Sequence, residues 1–357
     1  MTESTALVPA GTATQVALLR DLAEDAKAFA DSARSANTIK AYASRLREFE
    51  VWCGDHGVAP YPTTPDVVTA HITWLAKKGR ATATISQTLS AIRAQNPQTQ
   101  DRANPVDHPV VAEVWRGIRR EIAKTRARKK APPLLQAHLT EILDFLSLEA
   151  AGELRKLRDS AMLALGWAGA RRRSEIAGLD WHQLGAGTGF VTLDEIGATI
   201  TLMVSKTSQE TAQTYVIPRA AQGRAVTLLQ DWAARAGLAP GAALFQGILK
   251  GDKLRGTHLT DRQVSNCVKA RVKQASKAQL TGRKRLSKEQ KEQIAAFAEG
   301  FSGHSLRAGF MTSAADAGVP VDEMMQQSGH KSTDVAMGYV RNADKHRKNA
   351  LNKMGAI

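Results

Sequence analysis

The chain has 357 residues, more than one average core accommodates, so two domains are expected. With 43% hydrophobic and 23% charged residues it reads as an ordinary globular protein, and no apolar run approaches the ~18 residues of a membrane span. A formal net charge of +15 points to a polyanionic partner, DNA or RNA, because that much self-repulsion is costly without one.

The opening stretch "MTESTALVPAGTATQ" has neither a basic n-region nor a continuous apolar h-region. It reads as a flexible arm over residues 1–17, and the default compartment is cytoplasmic. From 18 to 123 apolar residues recur every three or four positions, as in "TIKAYASRLREFEVWC" and "TPDVVTAHITWLAKKG", predicting a helical domain. Breaks fall at "GDHGVAPYPTTP" and "NPVDHP", where Gly, Pro and Asp supply turn geometry. Cys53 and Cys267 lie far apart without Cys/His ligand spacing, which supports neither a disulfide framework nor a zinc site.

Residues 124–135 form a basic, proline-closed connector, and the domain boundary is placed there. The second domain, 136–357, begins with helical patterning through "LRDSAMLALGWAGARRRSEIAGLDW". After Gly189 the period changes to alternation, predicting three short antiparallel strands up to Pro218. The fold class is therefore mainly α with a small antiparallel β-sheet, in two domains. The basic segment 276–301 reads either as a DNA-facing insertion or as a mobile loop.

Toward the C-terminus, "SGHSLRAGFMTSAADAG" predicts a helix from near Gly303 to Gly318, with His304 and Arg307 one turn apart on one face. Pro320 opens the next helix and Gly329 closes it. His330 follows in the turn, and Ser332 or Thr333 caps a last helix that carries Tyr339. On one continuous helix His330 and Tyr339 would face opposite sides; the Gly329 break removes that objection.

The order His304-x-x-Arg307, Gly329-His330, Tyr339 resembles the C-terminal signature of the tyrosine recombinases, the phage integrase family. "GARRRSEIAGL" matches the upstream arginine motif of that family; counting back from Glu175 selects Arg172, with Arg171 and Arg173 as register alternatives. Lys206 stands where the family has a lysine on a β-hairpin. "NTIKAYASRLREFEVWC", "GRATATISQTLSAIR" and "MGYVRN" extend the resemblance to the Cre-like branch over nearly the whole chain from about Asn37.

The resemblance implies an N-terminal helical core-binding (SAM-like) domain and a C-terminal catalytic domain. It implies a site-specific recombinase that cleaves and rejoins DNA through a 3′-phosphotyrosyl intermediate and a Holliday junction. Tyr339 would be the nucleophile, Arg172 and Arg307 the phosphate clamp, and His330 a further donor. His304 would serve in acid/base chemistry, Lys206 as general acid, and Glu175 would hold the cations in register. Thr38, Lys40, Thr84, Gln87, Arg119, Arg120 and Arg262 are implied as DNA contacts, Gln87 and Arg262 at base edges. The implied partners are double-stranded DNA with inverted repeats and three further copies of the chain. In that homotetramer the C-terminal helix, from about 343 and carrying Ala350, Leu351 and Met354, would dock on a neighbour. Neither a cofactor, a metal nor a membrane is implied. A type IB-like topoisomerase and a non-catalytic DNA-binding regulator are the competing readings.

Overall fold

A computed structural model describes residues 22, 36–99, 101–125, 131–148, 153–203, 212–281 and 286–347. The chain divides into two compact units, Met1–Lys129 and Lys130–Ile357. The arm at 1–17 and the end of the chain, including Ala350, Leu351 and Met354, lie outside the described residues.

Unit 1 is built from α1 (Ala36–Asp55), α2 (Pro65–Lys77), α3 (Thr82–Gln95) and α4 (Pro109–Thr125), with a 3-10 turn at Pro105–Asp107 before α4. Each break has a local cause. Thr64 caps α2 through its hydroxyl, which accepts from Val67 N, and Pro65 sits in the first turn, where its missing N–H costs nothing. Asn96 and Asn104 close the segment after α3: Asn96 donates to Ile92 O at 2.8 Å, and Asn104 donates to Arg93 O at 2.9 Å while accepting from Val106 N at 3.0 Å. The core joins Phe49, Trp52, Val68, Ile72, Leu75, Ile85 and Ile92 from the first three helices. His71 is buried among the rings of Phe49, Trp52 and Trp74, with no hydrogen-bond partner on either ring nitrogen among the described residues.

Unit 2 begins with α5 (Gln136–Leu148), α6 (Glu153–Ala168) and the short α7 (Arg173–Ala177). A four-stranded sheet follows in the order β1 (Leu179–Trp181), β2 (Gly189–Leu193), β3 (Gly197–Leu202), β4 (Gln213–Pro218). The pairs β2–β3 and β3–β4 are antiparallel, as alternation predicts, whereas β1 joins parallel to β2. Helix α8 (Arg219–Ala236) packs against α6, β3 and β4. A second hairpin, β5 (Gln246–Ile248) and β6 (Leu254–His258), had no counterpart in the sequence reading. Buried Asp180 ties it to the sheet by accepting from Gly185 N at 2.7 Å and Gly187 N at 2.8 Å and pairing with His258 Nε2 at 2.7 Å.

The remaining helices are α9 (Asp261–Thr281), α10 (Lys288–Glu299), α11 (Gly303–Asp316), α12 (Val321–Ser328) and α13 (Thr333–Arg347). The described part of 276–301 is thus helical rather than a loop. A capping box starts α10, with Ser287 Oγ accepting from Gln290 N at 3.1 Å and Gln290 Oε1 from Ser287 N at 2.9 Å. The chain enters unit 2 across α11: Leu134 N donates to Ser305 O at 2.9 Å, Trp167 Nε1 donates to Leu134 O at 2.9 Å, and Gln136 N donates to Ser313 Oγ at 3.1 Å.

Candidate active site

Three stretches of unit 2 assemble the site. The first is the turn between α6 and α7, where Ala170 takes φ 51 and the three consecutive arginines leave in different directions. Arg171 turns inward and is 1% exposed. Its guanidinium carbon lies 3.4 Å from the Tyr215 ring centroid, and it donates to the carbonyls of Gly169 and Gln327. Arg173 turns outward, its Nε 3.1 Å from Asp261 Oδ2. Arg172 caps α7: its backbone N donates to Glu175 Oε2 at 2.9 Å and its Nη1 to Glu175 Oε1 at 2.5 Å. Glu175 is buried and also faces Arg171 at 3.8 Å. Of the three, Arg172 alone is both braced at short range by Glu175 and partly open, with 22% of its side chain exposed.

The second stretch is the start of α11, capped by Ser302, whose hydroxyl accepts from His304 N at 3.3 Å. His304 is exposed and Arg307 is buried one turn later. Arg307 Nη1 donates to Ala170 O at 2.9 Å and to Ser328 O, joining the arginine turn to the end of α12. Its buried Nη2 has no partner among the described residues.

The third is the turn between α12 and α13. Gly329 ends α12 at φ 68, and a Cβ there would also run into Tyr215 Oη, so the position needs glycine twice over. His330 follows, its Nδ1 2.7 Å from Ser328 Oγ. Tyr339 is half-buried on α13, and the turn brings its ring centroid to 6.5 Å from that of His330, with the planes inclined at 50°.

Burial and the gathered positive charge shift Arg307, both imidazoles and the Tyr339 phenol. Desolvation, then repulsion by Arg172, lowers Arg307 to about 10, while Glu175 and Tyr339 pull it back up. Desolvation followed by the charges of Arg307, Arg172, His304 and Arg171 lowers His330 to about 4. His304, although exposed as a residue, is lowered by partial desolvation and then by Arg307, Arg172 and Arg173. Burial raises the Tyr339 phenol and Arg307 opposes it. Burial and the surrounding guanidinium charge hold both imidazoles toward their neutral forms, so an anion held between these groups would relieve the mutual repulsion.

Lys206 lies between β3 and β4 in a stretch outside the described residues. In unit 1, Thr38 and Thr84 are partly buried, and Lys40, Gln87, Arg119 and Arg120 are exposed. Arg119 stands over the Trp115 ring, 5.5 Å from its centroid. In unit 2, Arg262 is exposed in the first turn of α9.

Comparison with known proteins places the chain. The description "Phage integrase family" matches residues 134–346, and "Phage integrase, N-terminal SAM-like domain" matches 27–94. The chain belongs to the phage integrase family. It is 31% identical to an integrase/recombinase xerD homolog of Selenomonas ruminantium over 92% of this chain and 88% of that protein. It is 27% identical to the recombinase cre of Escherichia phage P1, over 91% and 88% respectively. The fold matches the XerH site-specific recombinase bound to a palindromic difH substrate, at TM-score 0.55, 15% identity and coverage of 88% of this chain and 78% of that one. It also matches the Tn1549 transposon integrase in complex with transposon right end DNA, at TM-score 0.54, 18% identity and coverage of 88% and 94%. As a tyrosine recombinase of this family the protein is an enzyme of DNA strand cleavage and rejoining.

Family motifs did not single out three residues that support the site. Arg171 entered only as a register alternative, and its burial under Tyr215 has no signal in a run of identical arginines. Tyr215 is an inward position of an alternating strand and reads as ordinary core. Ser328 precedes the Gly-His pair, where its hydroxyl gave no cue without the fold.

Proposed function

We propose that the protein is a site-specific recombinase in which Tyr339 displaces the 5′ oxygen of a scissile phosphate and remains bonded to the 3′ phosphate. Tyr339 Oη–P forms as P–O5′ breaks, and the freed 5′-hydroxyl of another duplex reverses the step, so bond energy is conserved without ATP. Arg172 and Arg307 grip the non-bridging oxygens with planar donor forks. His304 and His330 lie beside them, Glu175 fixes Arg172, and Lys206 protonates the departing oxygen. The observation that carries this reading is the buried Arg307, bonded to two turns and with an Nη2 unpartnered among the described residues, next to Glu175-braced Arg172 and half-buried Tyr339.

On this reading the helical unit 1 and the catalytic unit 2 both engage a half-site. Thr38, Lys40, Thr84, Arg119 and Arg120 hold phosphates, and Gln87 and Arg262 reach base edges. Two protomers take an inverted repeat, and four, linked through their C-terminal segments, exchange strands through a Holliday junction. Denaturing the protein during reaction with genomic DNA and sequencing the covalently retained ends tests this. One recurrent inverted repeat, with adducts absent from Tyr339→Phe, is expected; adducts that persist in that variant refute the nucleophile. Relaxation of plasmids lacking the repeat, without recombinants from paired repeats, would favour strand resealing instead.

A further inference from the structure

The turn that presents Arg172 is laced to the end of α12, in part by side chains to which the proposed chemistry gives no role. Its three successive carbonyls each take a different donor: Gln327 Nε2 reaches Ala168 O at 2.9 Å, Arg171 Nε reaches Gly169 O, and Arg307 Nη1 reaches Ala170 O at 2.9 Å. The lacing also runs the other way. Arg171 Nη2 donates to Gln327 O and Arg307 Nη1 to Ser328 O, two of the last carbonyls of α12, which a helix leaves without an internal partner.

Arg171 brings in a third element. Its guanidinium carbon stands over the Tyr215 ring, 3.4 Å from the centroid, and Tyr215 is itself buried on β4. A Cβ at Gly329 would strike the Tyr215 hydroxyl, so the same ring also backs the turn after α12. Gln327 Nε2 lies 3.2 Å from Val216 O and ties β4 to the same junction. An arginine suits this place because its face stacks on a ring while its in-plane N–H groups still reach two carbonyls. A lysine ammonium is a point charge without that plane. Burying such a cation is costly unless its partners are in place, and the carboxylate that Arg171 faces, Glu175 at 3.8 Å, is already bonded to Arg172 at 2.5 Å. The guanidinium is therefore held by the junction itself, one residue before the arginine assigned to phosphate.

We propose that Arg171 is a positioning residue: stacked on Tyr215, it fixes the arginine turn against the end of α12 and so sets where Arg172 and Arg307 meet a scissile phosphate. The inference rests on the reading of Arg172 and Arg307 as the phosphate clamp. Arg171 touches no reacting atom in it. Arg307 joins the two turns from the side of the phosphate, and Arg171 joins them from beneath, with β4 as the floor.

The test reads position as well as rate. Single-turnover adduct formation on the recovered repeat is measured with the natural phosphate and with sulfur at one or the other non-bridging oxygen, the Rp and Sp isomers. Arg171→Met, which keeps bulk and removes the fork, should form adducts on the order of 10²-fold more slowly, as for a reacting group misplaced by about 1 Å. It should also shift the Rp/Sp preference, because the displaced clamp meets the two oxygens from a changed angle, and affinity for the repeat should change little. A protein that is merely less folded loses both isomers equally. Arg171→Lys should not restore the rate. Tyr215→Leu leaves the charge in place, covers the case in which Arg171→Met does not fold, and should shift the preference in the same direction. Tyr215→Phe should recover most of what Tyr215→Leu loses, and the Arg171→Met, Tyr215→Leu double variant should be no slower than Arg171→Met, as for two members of one contact. A wild-type rate in Arg171→Met, slow variants with an unchanged Rp/Sp preference, full activity in Arg171→Lys, or additive losses in the double variant overturns the proposal. Wild-type rate and preference in both Arg172→Ala and Arg307→Ala would instead overturn the clamp reading on which the brace depends.

Discussion

On the proposed reading, Arg307 serves structure and chemistry at once. Its Nη1 holds Ala170 O and Ser328 O, the ends of the two turns that present Arg172 and His330, while Nη2 is left for an anion. Arg307→Ala should therefore slow covalent adduct formation about 10²–10³-fold, the usual effect of removing a preorganised oxyanion donor. Single-turnover trapping measures this, and a loss under tenfold would contradict the assigned place. A second residue-scale consequence concerns His71 in unit 1. Burial lowers it to about 4, with Glu48 opposing and His56 assisting, against about 6.5 in an unfolded chain. The unfolded state takes up a proton that the folded state excludes, so the protein loses stability as pH falls from 6.5 toward 4. His71→Phe, in a cage of Phe49, Trp52 and Trp74, should flatten the slope of denaturation midpoint against pH in that window; an unchanged slope would clear His71 of the effect. Sequence reading named Arg172, Glu175, His304, Arg307, His330 and Tyr339 from the stereotyped spacing of the family motifs. It could not say what separates three adjacent arginines, since burial, cation–π stacking and an outward ion pair are decided by neighbours distant in the chain.

At the scale of elements, α11 sits at the junction of the unit. Its Gly309 lies against the Leu134 backbone, where a Cβ would overlap the Leu134 carbonyl, itself fixed by Trp167. Gly309→Ala, normally favourable in a helix, should here destabilise by about 2–3 kcal/mol through overpacking against backbone that cannot yield. Thermal denaturation checks this: an unchanged or raised Tm would mean the entry segment is loose. The helices of this unit were legible because their apolar stripes recur at helical spacing, and the β2–β3–β4 meander because its residues alternate. Strand β1 was not, since Leu179, Asp180 and Trp181 are all buried and a three-residue run has no period to read. Helix α10 was ambiguous for the opposite reason: Ile294 and Ala298 are its only buried residues, a stripe too narrow to stand out from a basic, polar segment.

For the molecule as a whole, 49 Lys and Arg against 34 Asp and Glu leave a charge of +15. That excess is a field that draws phosphate. Binding to the target repeat should weaken linearly in log salt with a slope of about −5 or steeper, since each neutralised phosphate contributes about −0.9. An affinity flat from low to physiological salt would rule out a broad phosphate-binding face. The chain leaves unit 1 and joins unit 2 where Leu134 is stitched to Ser305 and Trp167. Slack added by a Gly-Ser spacer between Lys130 and Ala131 should lower cleavage while sparing DNA affinity; equal loss of both would show the tether to be passive. Because the stitch lies between His304 and Arg307 along the helix, a shift of the Leu134 backbone would be felt at the Arg307 guanidinium within a single turn.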